Sequence, residues 1–168
     1  MDNIYLIGMM GSGKSTIGEK LANNLNMEYV DIDNDIESVH QMTIVDIFNQ
    51  LGEKKFREIE SAYFLEKSKQ TNQVFSTGGG IILNRENRDI LKNNGKTFFL
   101  EANCETLLNR IKNLSTRPLL DNKNPIETIS LIWEKRKKYY YESSDYTINT
   151  NTLSINDVID EIARKIKK

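Results

Sequence analysis

The run Gly8-Met9-Met10-Gly11-Ser12-Gly13-Lys14-Ser15-Thr16 decides the fold. It matches the pattern G-x-x-x-x-G-K-[ST], and its flanks supply the context that gives the pattern meaning. On the N-terminal side, Ile4 to Ile7 is a short apolar run of the kind a buried parallel strand shows. On the C-terminal side, Lys14 to Leu25 carries Ile17, Leu21 and Leu25 on one helical face. Strand, glycine-rich turn and helix together make a phosphate-binding loop. Glycines let successive N–H groups point at phosphate oxygens, and the helix N-terminus adds partial positive charge. In such a loop Lys14 reaches the β- and γ-phosphates and the Ser15 hydroxyl ligates magnesium, with Gly11, Ser12, Gly13 and Thr16 completing the cradle. The bland alternative, a glycine-rich turn with a chance lysine, leaves the flanking strand and helix unexplained. The motif specifies nucleotide binding and leaves the phosphoryl acceptor open.

Outward from the loop, strands and helices alternate. Tyr29 to Ile32 reads as a second strand, followed by a helix through Ile36 and Val39. Thr43 is placed to cap a helix carrying Val45, Ile47 and Phe48; Gly52 interrupts it, and a longer helix runs from Glu53 to Lys69. Gln73 to Ser76 is a third strand, ended by Gly78-Gly79-Gly80. A helix over Arg85 to Asn93 is expected to use Gly95 as its C′ residue. Thr97 to Leu100 forms a fourth strand, Glu105 to Ile111 a helix, and Leu114 to Pro125 a polar loop holding both prolines. A helix from Ile126 to Tyr141, a strand at Tyr146 to Ile148 and a helix from Ile155 to Ile166 complete the pattern. The alternation implies an α/β sandwich with a mostly parallel sheet, and no repeat or linker divides residues 1–168.

Composition narrows the function classes. A chain of 168 residues buries a core without disulfides, and its 38% hydrophobic and 28% charged residues are an ordinary balance for a water-soluble domain. The net charge of −1 provides no global field for nucleic acid or an anionic membrane. One cysteine, Cys104, excludes an internal disulfide and a cysteine-based zinc site, and fits a reducing cytoplasmic setting. Neither a signal peptide nor a membrane-spanning run is expected. His40, the single histidine, reads as a surface residue.

Several residues are candidates for the acceptor side. Asp31 and Asp33 stand at the carboxyl end of the second strand, where ligands of open α/β sheets bind, and a spacing of two puts them on one face while strand geometry lasts. They would serve magnesium and a substrate hydroxyl, or simply form a capping turn. Arg57 and Glu60 share a helical face, either as site residues or as a surface ion pair of little energetic value. Phe48 and Phe56 read as core. The glycines 78–80 permit close approach to the backbone. Arg117 in the polar loop is an ordinary surface arginine or a lid residue closing over transferring phosphate. Arg136 offers a planar fork suited to a carboxylate, or belongs to a solvated basic face among Lys135, Lys137 and Lys138.

Taken in order, these motifs resemble those of the shikimate kinase family, and the match covers nearly the whole chain. The matching residues are Gly8-x-x-Gly-Ser-Gly-Lys-Ser-Thr16, Asp31-Ile-Asp33, Phe56-Arg57-x-x-Glu60, Gly78-Gly-Gly80, Thr116-Arg-Pro-Leu-Leu120 and the Arg136 segment. The resemblance implies the nucleoside monophosphate kinase fold: a three-layer sandwich around a five-stranded parallel sheet in order 2-3-1-4-5. It also implies a substrate-binding region at residues 32–61 and a lid at residues 112–125. It further implies transfer of phosphate from ATP, with Mg²⁺, to shikimate in aromatic amino-acid biosynthesis. Lys14, Asp33 and Arg117 would be catalytic. Asp33 would bind the shikimate hydroxyls, and Arg57 and Arg136 its carboxylate. Glu60 would orient Arg57, and the Gly78–Gly80 backbone would line the pocket. Arg110 would stack near adenine, Arg117 would contact the nucleotide, and Ser15 with Asp31 would hold the metal. The partner would be a small molecule only, acted on by a monomer. The nearest alternative acceptor in the same architecture is gluconate. Two segments depart from the family pattern: Lys137-Lys138 after Arg136, and Asn149 to Leu153 in the adenine loop.

Overall fold

A computed structural model of the chain describes residues 1–111, 118–120 and 124–167. Five strands form one sheet in the order β2-β3-β1-β4-β5, as expected. They are β1 (Asn3–Ile7), β2 (Glu28–Asp31), β3 (Gln73–Ser76), β4 (Gly95–Glu101) and β5 (Tyr146–Asn149), and every neighbouring pair is parallel. β1 is buried at every residue because helices cover both of its faces. Its alternation sorts the core: Tyr5 and Ile7 face one apolar cluster, and Ile4 and Leu6 the other. On the Ile4 side lie α1 (Lys14–Leu25) and α7 (Ile155–Ile166). On the Tyr5 side lie α3 (Ile44–Lys67), α4 (Arg85–Asn93) and α6 (Pro125–Ser143). Helices α2 (Ile32–His40) and α5 (Cys104–Arg110) sit at the carboxyl end of the sheet, following β2 and β4.

Side-chain caps fix most helix starts. Asp31, Thr43, Asn84, Asn103, Asn124 and Ser154 each accept a backbone N–H from the first turn of the helix that follows, and Ser154 forms a full capping box with Asp157. Helix α3 begins after Thr43 and bends at Gly52, whose φ of 82° and ψ of 162° leave the helical region.

Three expectations change. The second strand ends at Asp31 rather than Ile32, because Asp31 turns to cap α2. Helix α4 closes on Asn94, and Gly95 is instead the first residue of β4, where a Cβ would press 2.1 Å from the Asn3 carbonyl oxygen. The glycine run leads into a 3-10 turn, Ile81–Leu83, which the sequence pattern had not marked. Of the expected lid, residues 112–117 and 121–123 lie outside the described residues, while Pro118–Leu120 forms a 3-10 turn with Leu120 buried.

β1 borders β3 on one side and β4 on the other, so the chain reverses direction across the sheet at β1. The carboxyl end of β1 is therefore the switch point where ligands of open α/β sheets bind.

Candidate active site

The loop between β1 and α1 curls around Lys14. Gly8, Gly11 and Gly13 all have positive φ. Gly11 admits no other residue readily: its φ is 79° and a Cβ would lie 2.5 Å from the Leu107 carbonyl oxygen. Lys14 Nζ, buried beneath the loop, donates to the carbonyls of Gly8 and Met9 at 2.9 Å each. The whole run Gly11 to Thr16 lines a cavity of about 500 Å³.

The segment Asn149 to Leu153, which departs from the expected pattern, contributes to the far wall of this cavity. Thr150 and Leu153 line it beside Arg110, whose guanidinium donates to Thr150 Oγ1 at 3.0 Å and to the Thr150 carbonyl at 2.5 Å. Thr150 itself is tied to the end of β4 through Glu101. Arg110 is thus held by a residue that sequence reasoning did not single out.

The residues expected to hold the metal lie between α1 and the ends of β2 and β3. Ser15 Oγ and Ser76 Oγ are 3.2 Å apart. Asp31 accepts the Asn34 N–H on Oδ1 and the Tyr29 hydroxyl on Oδ2, at 3.2 Å and 2.9 Å. Burial, and secondarily the Asp31 charge, push the Tyr29 phenol pKa up, so the hydroxyl keeps its proton and donates. The expected pairing of Asp31 and Asp33 on one strand face does not occur. The strand ends at Asp31, and Asp33 lies in the first turn of α2, where the helix N-terminus favours its charge. Both aspartates still line the cavity.

A second cavity, of about 430 Å³, gathers Asp33, Arg57, Glu60, Gly78, Gly79, Gly80 and Arg136 from four separate stretches of chain. Arg57 and Glu60 are not a surface pair. Their 2.8 Å contact has the Glu60 side chain 1% exposed. Burial raises the Glu60 carboxyl to about 7, against the lowering effect of Arg57 and with a further push from Asp33. Arg57 Nε and Glu60 Oε1 are buried without a hydrogen-bond partner among the described residues, leaving capacity for a bound polar group. Phe48 and Phe56 are more than core. Both line the cavity, with Arg57 Cζ 5.9 Å and 5.0 Å from their ring centroids.

Arg136 is 5% exposed, not part of a solvated face, and donates to the Gly79 carbonyl at 3.1 Å. Tyr140, one turn on, donates to the same oxygen at 2.5 Å and stacks on Phe99. The Arg-x-x-x-Tyr spacing on one helix face was the signal available for it. The glycines 78–80 make room for the pocket's own side chains: Cβ atoms at Gly78 and Gly80 would collide with Glu60 Oε1 and the Arg57 guanidinium, each at 2.3 Å. Arg117 lies outside the described residues.

The two cavities share a wall made of Met10, Asp33, Asn34 and Gly79. One side of that wall is the phosphate loop; the other is the arginine-lined pocket.

A family model described as shikimate kinase matches residues 10–167. A shikimate kinase of Sulfurihydrogenibium sp. is 45% identical over 168 residues, covering 100% of this chain and 99% of its own. The chain belongs to the shikimate kinase family. A solved shikimate kinase from Acinetobacter baumannii, in complex with shikimate, superposes with a TM-score of 0.96 at 36% identity, covering 99% of this chain and 93% of the other. A deoxyadenosine kinase from M. mycoides, at 19% identity and a TM-score of 0.62 over 98% of each chain, shares the fold alone. As a shikimate kinase the chain is a phosphotransferase, and the two cavities adjoin at the wall that Asp33 and Gly79 form. Among the described residues no helix is long and apolar enough to cross a membrane.

Proposed function

We propose that the chain transfers the γ-phosphoryl group of MgATP to a hydroxyl of shikimate, giving shikimate 3-phosphate and ADP, as a step in aromatic amino-acid biosynthesis. The observation that carries this reading is Asp33, the acidic residue on the wall shared by the phosphate cavity and the arginine pocket. An acceptor hydroxyl held there lies between its own binding pocket and the incoming phosphate. Shikimate is a monoanion with three hydroxyls, and its carboxylate suits the half-buried Arg57 and the buried Arg136.

In this reading Asp33 orients the attacking hydroxyl and takes up its proton as the bond to phosphorus forms. Lys14 leaves its loop carbonyls for the β- and γ-oxygens. Arg117 spreads the charge on the transferring group. Arg110, braced by Thr150, flanks the base. Positioning and charge stabilisation carry most of the catalysis in phosphoryl transfer.

The residues at the metal side fit Mg²⁺. Ser15 and Asp31 offer hard oxygen donors at the mouth of the phosphate loop, and Mg²⁺ in such sites takes only one or two protein oxygens besides phosphates and water. Bound there it would neutralise charge on the β- and γ-phosphates.

In the same reading the protein is a cytoplasmic monomer acting on a small molecule: a net charge of −1 gives no global field for nucleic acid or an anionic membrane, and a single cysteine fits a reducing compartment. A coupled ADP-release assay tests the whole reading. Release should require both shikimate and Mg²⁺. Faster turnover with gluconate than with shikimate would overturn the acceptor.

A further inference from the structure

Tyr29 lines neither cavity, yet its hydroxyl touches both segments that carry the proposed metal ligands. The side chain leans from the edge strand β2 onto α1, and its ring rests at Gly18. A Cβ there would lie 2.8 Å from Tyr29 Cε2, so residue 18 seats the ring only as glycine. The seat determines where the hydroxyl falls: Oη lies 2.9 Å from Asp31 Oδ2 and 3.2 Å from the Ser15 carbonyl oxygen. The other Asp31 oxygen is held by the Asn34 N–H, and Ser15 Oγ is held by Ser76 Oγ. The one phenolic proton faces both acceptors, the nearer being Asp31, so a single phenol bridges the acid at the end of β2 and the first turn of α1.

We infer that Tyr29 is a positioning residue of the metal site, its hydroxyl holding the Asp31 carboxylate in register with Ser15 so that a divalent cation arriving with the nucleotide meets both. The inference rests on the metal-assisted transfer proposed above. A carboxylate at a strand end otherwise rotates about two side-chain bonds, and each orientation it must give up on binding weakens the site. Hydrogen bonds to both oxygens remove that freedom beforehand, as outer partners of metal-binding carboxylates do. Tyr29 reaches neither substrate nor any reacting atom. Were it purely structural, its ring packed on Gly18 would matter and its hydroxyl would not.

Tyr29→Phe keeps the ring and removes the hydroxyl. In the intact chain, Mn²⁺ binding to the ADP complex is followed by electron paramagnetic resonance, and ADP binding by calorimetry with and without Mg²⁺. The expected result is Mn²⁺ affinity weaker by about tenfold, in the range set by loss of an outer hydrogen-bond partner, with metal-free ADP affinity unchanged. In an Asp31→Asn background, Tyr29→Phe should add nothing further, because the hydroxyl acts through that carboxylate. Mn²⁺ affinity equal to that of the unaltered protein would overturn the inference, as would an equal loss of metal-free ADP affinity, or losses that add in the double variant. An unaltered protein whose ADP affinity ignores Mg²⁺ would overturn the metal reading itself, and the inference with it. None of these measurements involves shikimate, so the acceptor assignment stands or falls separately.

Discussion

The guanidinium of Arg57 fills the space that a side chain at Gly80 would need: a Cβ there would lie 2.3 Å from Arg57 Cζ. The end of an arginine is flexible, so Gly80→Ala should displace the guanidinium from the pocket rather than unfold the chain. The KM for shikimate should rise, costing roughly 10–100-fold in kcat/KM with the KM for ATP little changed, since small misplacements of positioning groups cost that much. At Gly79 the nearest atoms to a Cβ are 3.4 Å or more away, so Gly79→Ala should be milder. Steady-state kinetics on the two variants check the ranking, and equal losses would contradict it.

Glu60 makes stability depend on pH. Its folded pKa of about 7 lies above the ordinary 4.5, because burial disfavours the charged form. The protonated acid is thus the form the fold prefers. Its contribution is fully present below pH 4.5 and is lost as pH rises through 7. Glu60→Gln removes the titration. Denaturant unfolding at pH 5 and pH 8 should show the unaltered protein losing about 2–3 kcal/mol relative to the variant over that interval. A pH-independent difference between the two proteins would refute the assignment.

Arg136 and Tyr140 converge on the Gly79 carbonyl. Tyr140→Phe leaves that oxygen its arginine donor, so it should cost only about 1 kcal/mol of stability, the net value of one hydrogen bond. Arg136→Ala should instead raise the KM for shikimate with little change for ATP. A selective ATP defect would move Arg136 to the nucleotide side.

Lys14 is held by two loop carbonyls and is the only lysine lining the nucleotide cavity among the described residues. Lys14→Ala should lower kcat by about 100-fold or more, as loss of a charge-stabilising donor does, with the circular dichroism spectrum unchanged. Near-normal turnover would exclude the role.

Gln41 closes α2 with φ 52° and ψ 36°, a left-handed conformation, and is exposed. Gln41→Gly relieves a strain of roughly 1–2 kcal/mol and gives back about 0.5–1 kcal/mol in chain entropy, for a net gain of about 0.5–1 kcal/mol. Thermal unfolding should show a higher Tm with unchanged kinetics.

Sheet, helices and phosphate loop were legible because their signals are local. Short continuous apolar runs, period-3.6 apolar patterns, cap residues such as Thr43, and the contiguous run Gly8 to Thr16 each declare themselves within a few residues. The pairing of Arg57 with Glu60 was half legible: helical spacing put them on one face, but nothing local said that the face is buried. Asp31 and Asp33 show the converse. Two-residue spacing suggested a shared strand face, and the capping preference of aspartate turned the chain first.

By itself the sequence determined a nucleotide-binding α/β sheet and, through motif order, the family. Only the tertiary structure decided that Asp33 stands on the wall between two cavities, that Arg136 and Tyr140 share one carbonyl, and that Gly78 and Gly80 make room for Glu60 and Arg57. Each of these relations joins residues far apart in the chain, from Glu60 and Gly78 to Gly79 and Tyr140. Chain-local propensities carry no information about such distances; they are set when the packed sheet brings the loops at its carboxyl end together.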